Sequence, residues 1–128
     1  ALRAAPQGSL RLIATHQPLW VNRVSDAHNV CRGAARALEA WREAGADVLL
    51  AGHIHWPFAE RLEGTRPLWA INAGTAVSAR TRDGVPQSCN LLRWDPAQPR
   101  AGGSVLRFDY SSDLTAFVER GTARLELD

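Results

Sequence analysis

Two histidines stand one residue apart, directly after an apolar run of the chain. His53 and His55 follow Gly52 and lie on either side of Ile54, within the sequence Asp-Val-Leu-Leu-Ala-Gly-His-Ile-His-Trp of residues 47–56. Side chains two residues apart point to the same face of a strand, and a tight loop at a strand end would bring them together equally well. Neutral imidazole is the commonest side-chain ligand for zinc, iron and similar ions. The pair therefore predicts part of a metal site, and the alternative is a pair of surface histidines without a ligand.

A third histidine follows a similar segment. Residues 10–15 form a short apolar run that ends at His16, and Pro18 stops it because proline cannot donate to a strand ladder. One helical pattern separates this run from residues 47–51, which is the spacing of a βαβ unit with parallel strands. In open α/β sheets, ligands bind beyond the carboxyl ends of the strands. The same sheet edge is therefore predicted to hold three of the four histidines in the chain.

The elements that position these histidines follow from hydrophobic periodicity. Apolar residues recur at helical spacing over 30–44, which predicts one main helix that Asn29 caps and Gly45 ends. Residues 47–51 lack polar alternation, which predicts a strand covered on both faces. Gly74 is free to adopt a positive φ in the turn that follows the strand at 67–72. The strands are predicted over 10–15, 47–51, 57–62, 67–72, 88–94, 104–110, 115–118 and 122–127, the last two forming a hairpin around Gly121.

Taken together, these residues resemble the calcineurin-like metallophosphoesterases, and in particular their small bacterial phosphodiesterase branch. The resemblance covers residues 10–95 and rests on His16-x-Pro at a strand end, on Gly52-His53-Ile-His55 and on the turn Asn72-Ala-Gly-Thr75. It implies an α/β fold in which this chain is the C-terminal half of a four-layer αββα sandwich, with a mixed β-sheet and one main helix.

The resemblance also implies an activity and its cofactors. The activity is metal-dependent hydrolysis of phosphomonoesters or phosphodiesters, with a nucleotide as one possible substrate. Two divalent cations, manganese, iron or zinc, would be bound in the complete site. His16 and His53 would bind one cation, and His55 would bind the other.

The chain departs from the family pattern in one large respect. The family also has an Asp-x-His strand, a Gly-Asp-x-x-Asp element and a Gly-Asn-His element followed by an acidic residue, and none of them occurs in these 128 residues. We therefore expect residues 1–128 to form a single domain, the C-terminal part of a metallophosphoesterase domain whose N-terminal metal-binding half is absent. The isolated chain is expected to bind metal weakly, or to lack it, and to be inactive or weakly active.

Four further residues are candidates for substrate binding. Arg80 and Arg82 lie in a polar segment near the predicted edge, and guanidinium groups match phosphate oxygens in geometry. Trp20 and Trp56 lie close in sequence to the predicted ligands, and they are candidates for the wall of a pocket. The simpler interpretation of the arginines is that an arginine-rich chain places arginines in its loops. The other three tryptophans, Trp41, Trp69 and Trp94, lie in apolar helix or strand patterns and are expected to pack in the core.

Composition limits the partners and the location. Of 128 residues, 45% are hydrophobic, which is enough for one core, and the formal charge of +2 comes from 15 scattered arginines, which argues against nucleic acid as a partner. No apolar run approaches the roughly 18 residues of a membrane span, so no membrane contact is predicted. The two cysteines have no metal-type spacing, and reduced thiols indicate a cytoplasmic protein.

Isolation of half a domain would expose an apolar sheet face. We therefore expect self-association, or association with the missing N-terminal half.

Two other functions stay open. The chain could be a complete module whose three histidines hold one zinc ion with an open fourth position. It could also be a non-catalytic interaction domain whose histidines are incidental.

Overall fold

The structure, a computed structural model, describes residues 1–82 and 84–127. It contains one α-helix, seven strands and three short 3-10 helices in these residues. The α-helix is α1, Ala34–Glu43; the strands are β1 Leu12–Ala14, β2 Val48–Ala51, β3 Phe58–Leu62, β4 Leu68–Asn72, β5 Ser88–Trp94, β6 Gly103–Ser111 and β7 Ala116–Leu125; the 3-10 helices are Leu2–Ala4, Val24–Asn29 and Pro99–Ala101.

The strands form two sheets. Sheet A has the order β1-β2-β4-β3, in which β1, β2 and β4 run parallel and β3 pairs antiparallel with β4. Sheet B has the order β5-β6-β7 and is antiparallel throughout. The predicted parallel pairing of β1 with β2 across a helix is confirmed, and so are the mixed sheet and the single main helix.

Sheet A is covered on both faces, which explains the unbroken apolar run of β2. On one face, Leu49 belongs to a cluster that packs against Leu38 and Trp41 of α1. On the other face, Val48 belongs to a cluster that includes Val105 of sheet B. Burial of each such aliphatic side chain contributes about 1.5–3 kcal/mol. The layers are therefore α1, sheet A and sheet B, with β2 and β4 at the centre.

The main helix begins later than predicted. Residues Val24–Asn29 form a 3-10 helix, and the N-cap of α1 is Gly33, with φ 79° in the left-handed region. Asn29 does not cap α1, because the helix begins only at Ala34; its side-chain amide lies 3.1 Å from Nε2 of His28. The predicted end is confirmed, since Gly45 follows the helix with φ 92°.

The predicted hairpin around Gly121 is wrong. One continuous strand, β7, covers Ala116–Leu125, and its turn with β6 lies earlier, near Thr115, which has φ 50°. Gly121 instead faces Arg107, where the β6–β7 register shifts between Arg107 and Phe108. A bulge inserts an extra residue and bends the strand, so the glycine interrupts the apolar pattern without ending the strand.

Gly74 does not use its freedom to adopt a positive φ. Gly74 does not have a left-handed backbone, and its lack of a side chain serves a close approach instead. A Cβ at this position would overlap Oγ of Ser88, whose Cβ is 3.4 Å away. Ser88 is buried, and its hydroxyl has no hydrogen-bond partner among the described residues.

The outer face of sheet B is partly apolar. Leu91 is 43% exposed and Phe117 is 40% exposed, and Tyr110 packs edge-on against Phe117. The α-helix of the described residues packs on sheet A and leaves this face uncovered. The expected self-association therefore stays a prediction with a defined surface. Across the described residues, no helix has both the length and the apolarity to cross a membrane.

We expect Gly74→Ala to destabilise the protein by about 1–3 kcal/mol, because the added methyl group overpacks the site against Ser88. Ser88→Ala should change stability by less than about 1 kcal/mol, because it removes a buried hydroxyl without a partner. The double variant should recover most of the loss. Urea unfolding of the three variants measures this coupling, and a double variant as unstable as Gly74→Ala would contradict the packing account.

Candidate metal centre

The parallel pairing of β1 and β2 brings two histidines together. The hydrogen bonds continue past the strand ends, where the amide of Thr15 donates to Leu50 O at 2.9 Å and the amide of Gly52 donates to His16 O at 3.2 Å. As a result, Nε2 of His16 lies 3.1 Å from Nδ1 of His53. The two rings meet nearly edge to face, with centroids 4.9 Å apart and an interplanar angle of 72°. The predicted convergence of this pair is therefore seen.

This separation suits two different states of the pair. Without a cation, one ring nitrogen donates a hydrogen bond and the other accepts it. Two nitrogens that bind one zinc ion at about 2.0–2.1 Å in tetrahedral geometry lie about 3.3 Å apart, close to the observed distance. Both side chains are exposed, so further ligands could reach a cation held there. The pair therefore provides two converging nitrogen ligands.

His55 has a different environment. Its Nδ1 lies 2.6 Å from the carbonyl oxygen of Arg80. Because a carbonyl can only accept, Nδ1 carries the proton, and in the neutral ring Nε2 then keeps its lone pair. A carbonyl acceptor on one ring nitrogen is the usual arrangement for a histidine that binds metal through the other nitrogen. His55 is therefore prepared to act as an Nε2 ligand.

The three histidines do not form one group. Among residues 1–82 and 84–127, no set of three or more histidine, cysteine, aspartate or glutamate side chains is placed to hold a metal ion. The structure thus brings His16 and His53 together without His55, and the role of the three histidines as metal ligands stays a prediction. The described residues therefore do not form the mononuclear three-histidine site either; Nδ1 of His55 lies at Arg80 O.

Residues 52–56, which we call the histidine loop, have an unusual backbone. His53 has φ 66° and His55 has φ 54°, both in the left-handed region that favours glycine. Such a conformation costs a residue with a Cβ about 1–2 kcal/mol. Ile54 between them is buried, and its amide donates to Gly52 O at 2.7 Å. The tight-loop alternative therefore applies, and contacts elsewhere must offset its conformational cost.

Three hydrogen bonds hold the loop to the end of β4 and to the segment that follows it. Arg82 Nη1 donates to Ile54 O at 3.1 Å, and Asn72 Nδ2 donates to Trp56 O at 2.9 Å. The third is the bond from His55 to Arg80 O. Asn72 is fully buried, so its amide is a fixed donor.

Sequence reasoning missed one residue near this loop. Asp26 is 1% exposed, and its Oδ1 accepts from Arg82 Nη1 at 2.9 Å. The residue lies in the irregular segment before α1, where periodicity carries no information about which side chains point inward. A lone acidic residue in a loop beside predicted ligands was the available signal.

The four substrate-binding candidates have distinct surroundings. The guanidinium of Arg82 contacts Asp26 and the histidine loop, whereas the side chain of Arg80 is exposed. Trp56 lies beneath a guanidinium, with Cζ of Arg23 4.2 Å from its ring centroid, which is a cation–π contact. Trp20 packs edge-on against Phe58 beside the cluster under α1. Their roles toward a substrate stay predictions.

Comparison with known proteins supports the fold. No family model matches the chain, and no curated protein matches it. A solved structure of wild-type Vps29 from Entamoeba histolytica, complexed with Zn²⁺, superposes with a TM-score of 0.53 and 15% sequence identity, covering 89% of this chain and 53% of that one. The chain thus spans about half the length of that structure. At this identity the likeness concerns the fold alone, and it confirms the predicted fold class, a mixed α/β fold with two sheets and one main helix.

The left-handed backbone of the histidine loop predicts an unusual order of stability. His53→Gly should be more stable than His53→Ala by about 1 kcal/mol, because glycine adopts this φ without strain. At His16, which lacks a positive φ, the order should reverse, with glycine less stable by about 0.4–1 kcal/mol. Chemical unfolding of the four variants tests this. If alanine were the more stable replacement at both positions, the backbone at His53 would not be strained.

Proposed function

We propose that this chain carries the histidine ligands of a metal-dependent phosphoesterase site. His16 and His53 would hold one divalent cation, manganese, iron or zinc, and His55 would hold a second. The observation that carries the proposal is the 3.1 Å approach of His16 Nε2 to His53 Nδ1 beyond the carboxyl ends of two parallel strands. The likeness of the fold to the Vps29 structure complexed with Zn²⁺ supports it, and so does the general rule that ligands of open α/β sheets bind at this edge.

The residues fit part of such a centre. Imidazole nitrogens suit zinc, iron and manganese, and the bond from His55 to Arg80 O leaves Nε2 available. The described residues place no cluster of carboxylates there to offset the charge of two cations. We propose that these carboxylates come from polypeptide outside the 128 residues. Strand β1 is the edge of sheet A, so the side of His16 away from β2 is open to it.

The chain would contribute to the reaction by binding and orientation. The cations, when bound, supply Lewis-acid activation of the phosphate ester and of water. His16, His53 and His55 hold the cations in place, and Arg80 O fixes the tautomer of His55. The exposed guanidinium of Arg80 is a candidate for the phosphate oxygens, and Trp56 with its stacked Arg23 is a candidate wall for an organic group such as a nucleotide base.

A non-catalytic interaction domain is the second candidate. The observation that favours it is the uncovered apolar surface of sheet B around Leu91 and Phe117. Exposed apolar patches of this kind mark interaction sites. The two functions differ in whether the His16–His53 pair binds a cation.

Zinc titration against a chromophoric chelator distinguishes them. We expect the chain to bind zinc weakly, and His53→Ala to lower the affinity by at least about tenfold, because one of two converging ligands is lost. His28→Ala is the matched control, since His28 is also exposed but bonds to Asn29 and not to the pair. Equal affinities of the wild type and His53→Ala would favour the interaction domain.

Activity measurements test the missing carboxylates separately. With manganese and a chromogenic phosphodiester, we expect turnover by the chain alone to be absent or far below the roughly 1–1,000 per second of ordinary enzymes. Turnover in that ordinary range, abolished by His53→Ala, would show that these residues suffice for catalysis and that no outside carboxylates are needed.

A further inference from the structure

The ion pair between Asp26 and Arg82 joins the 3-10 helix before α1 to the segment after β4, next to the histidine loop. The side chain of Asp26 is 2% exposed and that of Arg82 is 33% exposed. Asp26 belongs to the 3-10 helix Val24–Asn29, whereas Arg82 lies ten residues after the end of β4. The two residues are 56 positions apart in the sequence, so their contact is a feature of the tertiary structure.

We propose that the Asp26–Arg82 pair is a positioning device that sets the conformation of the histidine loop and the orientation of the His55 ring. Its consequence for cation binding rests on the proposed function. Neither side chain contacts the cation in this proposal, and both act through the loop.

The geometry of one nitrogen carries the argument. Arg82 Nη1 donates to Asp26 Oδ1 at 2.9 Å and to Ile54 O at 3.1 Å. A guanidinium is planar, and each terminal nitrogen carries two hydrogens in fixed directions. Once the carboxylate of Asp26 takes one hydrogen, the other is directed at Ile54 O. Asp26 therefore determines where the donor to the loop points.

The same short segment also contacts the second histidine. Two residues before Arg82, the carbonyl of Arg80 accepts from Nδ1 of His55. When Asp26 fixes Arg82, it therefore also fixes the acceptor that selects the tautomer of His55. His53 and His55 both have left-handed backbones, so without these contacts the loop would relax to an ordinary conformation.

The chain offers a matched control at the opposite end of sheet A. Asp47 and Arg66 also form a 2.9 Å ion pair, with side chains 6% and 21% exposed. Asp47 precedes β2, whereas the histidine loop follows it, and Oδ2 of Asp47 accepts from the amide of Arg11. The two pairs are alike in length and burial, but among the contacts of the described residues the Asp26–Arg82 pair is the one seen to reach the histidine loop.

The test compares Asp26→Asn and Arg82→Lys with Asp47→Asn and Arg66→Lys. Three quantities are measured: thermal unfolding, the ring nitrogen chemical shifts of His55 by NMR, and zinc affinity. All four variants should lose stability. Only Asp26→Asn and Arg82→Lys should shift His55 away from a pure Nδ1–H tautomer, and they should weaken zinc binding about tenfold. Lysine keeps the positive charge but lacks the planar guanidinium with its fixed N–H directions, so it should not replace arginine in holding the loop.

Two results would overturn the inference. One is a wild-type His55 tautomer in both Asp26→Asn and Arg82→Lys, and the other is an equal tautomer shift in Asp47→Asn. The tautomer is measured without metal, so it does not depend on the proposed function. If the tautomer shifts as expected but the wild type and His53→Ala bind zinc with equal affinity, the positioning inference stands and the proposed metal function fails.

Discussion

The backbone pairing of β1 with β2 is the interaction on which the candidate centre depends. The register places Ile13 beside Leu49 and Ala14 beside Leu50, and the amide of Gly52 then donates to His16 O. A shift by one residue would turn the side chains of β1 to the opposite face and separate the two imidazoles. Since β2 packs against α1 on one side and sheet B on the other, the layered core sets the position to which β1 is joined.

In the histidine loop, the conformational cost of two left-handed residues is offset by the hydrogen bonds that hold the loop. Two left-handed residues cost about 1–2 kcal/mol each, whereas a hydrogen bond from the charged guanidinium contributes about 1.5–3 kcal/mol and one from a neutral amide about 0.5–1.5 kcal/mol. The bonds from Arg82 and Asn72 to the loop carbonyls are therefore of the size needed to hold it. The partial exposure of Arg82 reduces its contribution, because solvent screens the charge. The loop is thus held by tertiary contacts that its own sequence does not contain.

The sequence predicts well where local signals and tertiary demands agree. Strand β5 was predicted with its observed bounds at 88–94, because an apolar segment ends at Asp95-Pro96. Prediction from the sequence fails where a contact with a residue distant in the sequence determines the local conformation. Gly74 was assigned to backbone freedom, but its neighbour Ser88 is fixed by sheet B, which is invisible to a local pattern.

The candidate site shows the same division. The approach of His16 to His53 follows from strand topology and was predictable, whereas the tautomer of His55 depends on a carbonyl 25 residues away. Asp26 could not be found from periodicity, since its role exists only through Arg82. The position of β1 has a further consequence for dynamics. As a three-residue strand that pairs only with β2, it should exchange its amide hydrogens faster than the interior strands. A cation bound by both His16 and His53 would link the ends of β1 and β2, and it should therefore slow amide exchange in β1.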